Sequence, residues 1–124
     1  MIFGVGTDIL EVARMEKMVA RGGQHLDAVF TAREREYCEH KARSSEHFAA
    51  RYAAKEAFLK ALGTGWRDGL AYSDIEITND ELGKPQVSLH GKVKELYAHL
   101  QIKQTSLSIS HISKIAIAVV ILDK

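Results

Sequence analysis

From Ser44 or Ser45 to just before Gly63 the chain reads as one long helix whose apolar residues do not form a stripe. Phe48, Ala49, Ala50, Tyr52, Ala53, Ala54, Ala57, Phe58, Leu59, Ala61 and Leu62 cover nearly its whole circumference on a helical repeat of about 3.6 residues. A helix apolar on every side has no face to offer water, so it belongs in the middle of its fold with the other elements packed around it. Glu56 sits in the midst of that surface. An unpaired carboxylate there would carry a desolvation penalty of several kcal/mol, so something must compensate it. One candidate is Lys60, a turn further on and in the favourable Glu-before-Lys order; another is a bound metal ion. Arg51 and Lys55 add two cations elsewhere on the helix.

The surrounding elements follow from periodicity. Residues 2–6 form a short apolar strand ending in Gly-Thr-Asp, and Thr7 or Asp8 caps a helix from about Leu10 to Arg21, which Gly22-Gly23 stops. Thr31 with Glu34 makes a capping box for a helix to about Lys41. Ile75 and Ile77 alternate with polar residues, and residues 79–85 turn the chain into 86–90, a hairpin pattern. Val93, Leu96, Tyr97 and Leu100 share one helical stripe, and strands 106–112 and 115–122, separated by little more than a turn, pair antiparallel. The sum is α+β, helices packed on a mainly antiparallel sheet. A chain of 124 residues buries about two thirds of its unfolded surface, enough for a single domain over residues 1–124 with no disulfide or structural metal.

Bulk properties exclude more than they assign. Seventeen Lys and Arg against sixteen Asp and Glu leave a net charge of +1, too little for a protein whose work is gripping a phosphate backbone, so no nucleic acid is expected. A single cysteine, Cys38, has no intrachain partner and points to a reducing compartment. The longest apolar run, 115–122, is too short to span a bilayer as a helix, and Met1 leads straight into a strand pattern with no leader-like segment. The expected location is the cytoplasm, with no membrane association.

Several residues invite a chemical reading. Gly4-Val5-Gly6-Thr7-Asp8 delivers a carboxylate at a strand end, with glycines that admit close approach to the backbone. Ile9 stands where a dinucleotide fingerprint needs its third glycine, and no Gly-Lys-Ser/Thr follows, so neither nucleotide motif is present. Asp8 is then either a helix cap or a metal ligand. Asp8 and Glu56 together suit Mg²⁺, which commonly takes one or two carboxylates with waters and phosphate oxygens. Zinc fits poorly. Cys38 and His40 face different ways on a helix, and His25, His47, His90 and His99 show no ligand spacing, which leaves Cys38 as a small buried hydrophobe. Arg14, Lys17 and Arg21 lie on one stripe of the first helix beside Met18, either a solvated face or a docking strip for an acidic partner. His111 shares a strand face with Thr105, Leu107 and Ile109, an ordinary half-buried position.

Taken together, several patches resemble the holo-(acyl carrier protein) synthases, the short, single-repeat 4′-phosphopantetheinyl transferases. They are Gly4-Val5-Gly6-Thr7-Asp8-Ile9, Phe30-Thr31 with Glu34 and Tyr37, the stretch 51–65 built on Lys55-Glu56-Ala57 with Lys60, Gly83-Lys84-Pro85, and Ser108-Ile109-Ser110-His111. The likeness covers nearly the whole chain in the family's order. Tyr52 is the visible variation, standing where other branches often carry Trp or Phe.

The resemblance implies a 4′-phosphopantetheinyl transferase-like fold with one repeat per chain. It also implies Mg²⁺-dependent transfer of 4′-phosphopantetheine from coenzyme A to a serine of apo acyl carrier protein, releasing adenosine 3′,5′-bisphosphate and supplying carriers for fatty acid and lipid synthesis. Asp8 and Glu56 match the metal ligands, and with Lys60, placed to reach the phosphate, form the implied catalytic set. Arg51, Lys60, Lys84 and His111 fall in patches that resemble coenzyme A contacts. Arg14, Lys17, Met18 and Arg21 become the carrier-protein docking surface, and a homotrimer with active sites between subunits is implied by analogy. The general base stays open between a metal-bound water and a side chain. Two competing readings use the same residues. One is a metal-dependent hydrolase of nucleotide pyrophosphates. The other is a non-catalytic module that binds an acidic partner through its first helix, with Asp8 a cap and Glu56 a structural ion pair.

Overall fold

In a computed structural model that describes residues 1–64 and 69–124, strand β1 (Ile2–Glu11) opens the chain and runs directly into helix α1 (Val12–Arg21). Helices α2 (Gly23–Val29), α3 (Ala32–Glu39) and α4 (Ser44–Leu62) follow. A 3-10 turn at Tyr72–Asp74 introduces the hairpin of β2 (Ile75–Asn79) and β3 (Pro85–Leu89). Helix α5 (Gly91–His99) then leads to a second hairpin, β4 (Gln104–His111) and β5 (Ile115–Asp123). A three-stranded antiparallel sheet has the order β1-β5-β4, and β2-β3 forms a separate antiparallel pair. The α+β expectation holds, as do both hairpins and the capping box, in which Thr31 accepts from the Glu34 backbone and Glu34 accepts from the Thr31 backbone.

The N-terminal segment departs from its sequence reading. Thr7 and Asp8 cap nothing: β1 continues through both, paired with β5 in one register from Gly4 opposite Leu122 to Glu11 opposite Ile115, with an irregularity between Ile2 and Gly4. Glu11 is the N-cap of α1, and its side chain makes no capping bond. A full strand ladder outweighs the ~1 kcal/mol that one cap contributes, and the ladder partner lies more than a hundred residues away, beyond the reach of a local pattern. Gly22-Gly23 does stop α1, but the chain re-enters a helix at once, an element the local pattern did not announce.

Helix α4 is central, as its composition requires. Its first half, through Phe48, Ala49 and Ala50, packs in one core with Leu10, Val12, Met15, Leu26, Phe30 and Cys38. Its second half, through Ala57, Phe58, Ala61 and Leu62, packs in another with Ile75, Ile77, Val93, Val120 and Leu122. Its C-terminus closes on Gly63, whose φ of 82° is the left-handed conformation that glycine adopts without strain.

The glycines of β1 fix how α4 meets the sheet. A Cβ on Gly6 would lie 1.8 Å from the carbonyl oxygen of Ala57, and one on Gly4 2.0 Å from that of Ala61. Strand and helix therefore touch backbone to backbone, with alanines on one side and glycines on the other. Residues 4, 6, 8 and 10 of a strand share one face, so the same packing turns Asp8 toward α4.

Candidate functional site

Asp8 on β1 and the Glu56–Lys60 turn of α4 come together where the strand crosses the helix. Lys60 Nζ lies 3.2 Å from Asp8 Oδ1, with the lysine side chain 54% and the aspartate 15% exposed. The anticipated Glu56–Lys60 pair is replaced by this cross-element contact. Glu56 is half-buried at the edge of the helix surface rather than sealed within it, and its Oε1 accepts a hydrogen bond from the hydroxyl of Tyr72. Tyr72 stacks on Tyr52, ring centroids 5.5 Å apart at 26°. Burial pushes the Tyr72 phenol well above its ordinary range and the bond to Glu56 adds to this, so the hydroxyl stays a donor. Burial and then the Glu56 charge raise Tyr52 in the same way.

The sealed charge of α4 is Lys55, not Glu56. Its ammonium bonds Glu34 Oε1 at 2.9 Å, the Tyr72 carbonyl at 2.9 Å and the Ile75 carbonyl at 2.6 Å, and both side chains of the pair are fully buried. Burial lowers the lysine's pKa while Glu34 raises it again. Glu34 in turn accepts from the backbone N–H groups of Thr31 and Ile77 at 2.9 and 2.8 Å. This pair locks α3, α4, the Tyr72 turn and β2 together behind the Asp8–Glu56 rim.

Other residues singled out from sequence lie around this rim rather than in it. Arg14, Lys17, Met18 and Arg21 do share a surface: they line one wall of a groove of about 990 Å³ closed by Gln24, His25, Leu70 and Tyr72. Tyr72 thus joins the basic groove to Glu56. Arg51 is nearly buried, bonds Asn79 Oδ1 at 2.6 Å, and stacks its guanidinium over Tyr37 at 4.0 Å. Lys84 ends the β2-β3 turn that the Asp80 side chain organises, its N–H bonding Asp80 Oδ1 at 2.8 Å. His111 binds Glu46 Oε1 through Nδ1 at 3.0 Å. At 1.5 Å rise per residue, that places it about 15 Å from Glu56 along α4.

Within the chain, then, Asp8, Glu56 and Lys60 converge, while Arg51, Lys84 and His111 do not join them. Around His111 the structure adds residues that motif reading passed over. His47 packs edge-on against it at 5.0 Å, and Lys41, Arg43 and Glu46 complete a groove of about 580 Å³. Burial, then the neighbouring His111, Arg51 and Lys41, lowers the His47 pKa, with Glu46 opposing them. The basic residues of 40–47, across the start of α4, are the available sequence signal. Tyr72 had none, because its partner is set by the fold. Cys38 is the buried hydrophobe expected, its thiol pushed up to about 12 by burial.

The carboxylates fit a hard divalent cation. Among the described residues no group of three or more His, Cys, Asp or Glu could cage a metal. A protein share of two carboxylates, with water and substrate phosphate completing the shell, is the Mg²⁺ pattern. Asp8 already receives one cation, the Lys60 ammonium.

A family model described as the 4′-phosphopantetheinyl transferase superfamily matches residues 4–120. The holo-[acyl-carrier-protein] synthase of Geobacter sulfurreducens is 48% identical over 125 residues, covering 100% of this chain and 99% of that protein. Among solved structures, the holo-[acyl-carrier-protein] synthase from Neisseria meningitidis has a TM-score of 0.90 at 33% identity, with 100% of each chain covered. That of Helicobacter pylori, solved in complex with coenzyme A, has a TM-score of 0.85 at 35% identity, covering 96% of this chain and 99% of the other.

Proposed function

The chain belongs to the 4′-phosphopantetheinyl transferase superfamily, and from that premise we infer how its residues serve the reaction. Its activity is that of the holo-[acyl-carrier-protein] synthases: the 4′-phosphopantetheine group passes from coenzyme A to apo acyl carrier protein. The carrier's serine oxygen bonds to the phosphorus bearing pantetheine. The bond from that phosphorus to the bridging oxygen breaks, and adenosine 3′,5′-bisphosphate leaves.

We propose that Asp8 and Glu56 hold Mg²⁺, and the observation that carries this is the Lys60–Asp8 contact, which sets Asp8 of β1 against the turn of α4 that begins at Glu56. The bound ion would neutralise pyrophosphate oxygens that otherwise repel the attacking oxygen. Lys60, with its side chain half in solvent and one ion-pair contact to Asp8, is free to swing to the transferring or leaving phosphate. Arg51, Lys84 and His111 form the outer coenzyme A contacts in this reading. Arg14, Lys17, Met18 and Arg21 receive the acidic carrier in the groove that ends at Tyr72.

The same reading calls for a homotrimer with its sites between subunits. In its support, the sheet face turned away from α4 exposes Val5, Ile9, Ile117 and Val119, an apolar surface that suits a second copy. A cytoplasmic location accords with the lone buried thiol; no helix among the described residues is long and apolar enough to cross a membrane.

The decisive experiment is to incubate the protein with apo carrier, coenzyme A and Mg²⁺ and weigh the carrier by mass spectrometry. A carrier whose mass gains the phosphopantetheine increment, and does not when Mg²⁺ is chelated, supports the reading. An unchanged carrier beside folded enzyme overturns it. Arg14→Glu or Arg21→Glu should raise the carrier's KM roughly three- to tenfold with little change for coenzyme A. Equal effects on the two substrates would remove the docking assignment. Light scattering on a sizing column reads the assembly, and a monomer mass at micromolar concentration would remove the trimer.

A further inference from the structure

The metal reading leaves one contact unused, the hydroxyl that Tyr72 gives to Glu56. That phenol is held from three directions. Its own carbonyl is pinned by the buried Lys55 ammonium at 2.9 Å, and Lys55 is itself fixed by Glu34 and the Ile75 carbonyl. The turn that carries it is closed by Asp74 N–H to the Ala71 carbonyl at 3.0 Å and by His90 N–H to the Asp74 carbonyl at 2.9 Å. Its ring lies on Tyr52. A donor anchored in this way does not follow the carboxylate about; the carboxylate orients to it.

The consequence lies in carboxylate chemistry. Oε1 of Glu56 accepts from the Tyr72 phenol, and the Tyr52 phenol reaches the same carboxylate, so a cation meets a carboxylate already engaged on one oxygen. Mg²⁺ demands near-octahedral geometry and takes carboxylates through one oxygen, whereas Ca²⁺ accepts six to eight oxygens and readily takes both oxygens of one carboxylate. Chelation through both oxygens of Glu56 would require the Tyr72 hydrogen bond to break, at the cost of a charge-assisted bond in a half-buried site.

We propose that Tyr72 is a specificity-determining positioning residue: its hydroxyl holds Glu56 to one-oxygen coordination and so favours Mg²⁺ over Ca²⁺ at the Asp8–Glu56 site. This rests on the metal-ligand reading above. It adds a residue of the turn before β2 to a site otherwise drawn from β1 and α4. It also gives the buried Lys55–Glu34 pair a task beyond stability, as the anchor of the phenol.

The test is calorimetric titration of the coenzyme A-saturated protein with Mg²⁺ and, separately, Ca²⁺, in the unaltered chain and in Tyr72→Phe, Asp8→Asn and Glu56→Gln. Tyr72→Phe keeps the ring and its stack on Tyr52 and removes only the hydroxyl. The expected result is a shift of the Ca²⁺ to Mg²⁺ affinity ratio toward Ca²⁺ by roughly threefold or more in Tyr72→Phe. Ca²⁺ should correspondingly inhibit Mg²⁺-supported transfer at lower concentration in that variant. A ratio that stays put, or moves toward Mg²⁺, overturns the proposal. If Asp8→Asn and Glu56→Gln weaken Mg²⁺ binding while the ratio in Tyr72→Phe is unmoved, the role of Tyr72 alone fails. If neither carboxylate variant weakens binding, the metal reading fails and takes this proposal with it.

Discussion

Helix α4 carries two lysine–carboxylate pairs that are alike in residue type and differ in burial and in hydrogen-bond completion. Lys55 meets Glu34 at 2.9 Å with both side chains at 0% exposure; Lys60 meets Asp8 at 3.2 Å with 54% and 15% exposed. The three N–H groups of Lys55 are taken up by Glu34 and two backbone carbonyls, and Glu34 is filled by two backbone N–H groups besides. A pair so completed has nothing left for a ligand, and its attraction offsets a desolvation penalty that neither member could bear alone. The Lys60–Asp8 pair is a single contact at a wet rim, worth about 0–1 kcal/mol, and therefore easily opened for a phosphate or a metal. One helix thus separates the charge that holds the fold from the charge that does chemistry by burial and hydrogen-bond completion, not by residue type.

The strongest way to break that distinction is to truncate both lysines. Lys55→Met strands the Glu34 carboxylate in the core and should cost about 3–5 kcal/mol in urea unfolding. Lys60→Met should cost under about 1 kcal/mol of stability while still impairing transfer. Comparable unfolding midpoints for the two variants would show that the contrast is one of appearance only.

Next in size are the carboxylates of the open site. Asp8→Ala and Glu56→Ala should each lower kcat/KM by roughly 100-fold or more at ordinary Mg²⁺, about 2.7 kcal/mol of transition-state stabilisation, with partial recovery at raised Mg²⁺. Steady-state transfer assays over a Mg²⁺ series read this directly. Retained activity in both variants would return Asp8 and Glu56 to the structural role that Lys55 and Glu34 occupy.

How far the sequence announces this division depends on how local each feature is. The all-round apolar surface of 44–62 is a property of consecutive residues, so α4 and its central place were legible, as were the Thr31–Glu34 box and both hairpins. The resemblance of Lys55-Glu56-Ala57 and Gly-Thr-Asp8 to family motifs brought Asp8, Glu56 and Lys60 forward together. Which charge on α4 is sealed was not legible. Glu56 looked the most buried, yet Lys55 is, because Glu34, Tyr72 and Ile75 arrive from other elements to complete it. The length of β1 was hidden for the same reason, its ladder partner being the far end of the chain. The glycines of β1 signal a close approach to the backbone, and what approaches is the chain's own helix.

That close approach supplies a third, smaller test, since it ties the fold to the site. Gly6→Ala would set a methyl 1.8 Å from the Ala57 carbonyl oxygen, where neither backbone can yield without separating β1 from α4. A loss of about 1–3 kcal/mol in stability is expected, together with weaker Mg²⁺ dependence as Asp8 is carried away from Glu56. Thermal unfolding and the Mg²⁺ series separate the two effects. Wild-type stability in this variant would mean that the glycine is not what sets the approach of strand to helix.

The smallest effect comes from a residue that lies between the sealed and the open pairs. Glu76 is buried, accepts from the Thr31 hydroxyl at 2.6 Å through one oxygen, and contacts His90 Nε2 at 3.1 Å through the other, at the exposed end of the Lys55–Glu34 network. Burial alone would raise its pKa, but the bonds from Thr31 and His90 and the charge of Arg33 outweigh it and hold the carboxyl below its ordinary value of 4.5. With the folded pKa below the unfolded one, the unfolded chain binds more protons between the two. Stability from this group is therefore present above about pH 4.5 and is lost as pH falls through the folded pKa. Glu76→Gln should lose up to roughly 1 kcal/mol at neutral pH, and the gap to the unaltered chain should narrow as the pH falls below about 4.5. Urea midpoints across that range measure it. A gap that stays level or widens below pH 4.5 would mean that the Thr31 and His90 contacts do not hold the carboxyl down, and would detach Glu76 from the network that anchors Tyr72.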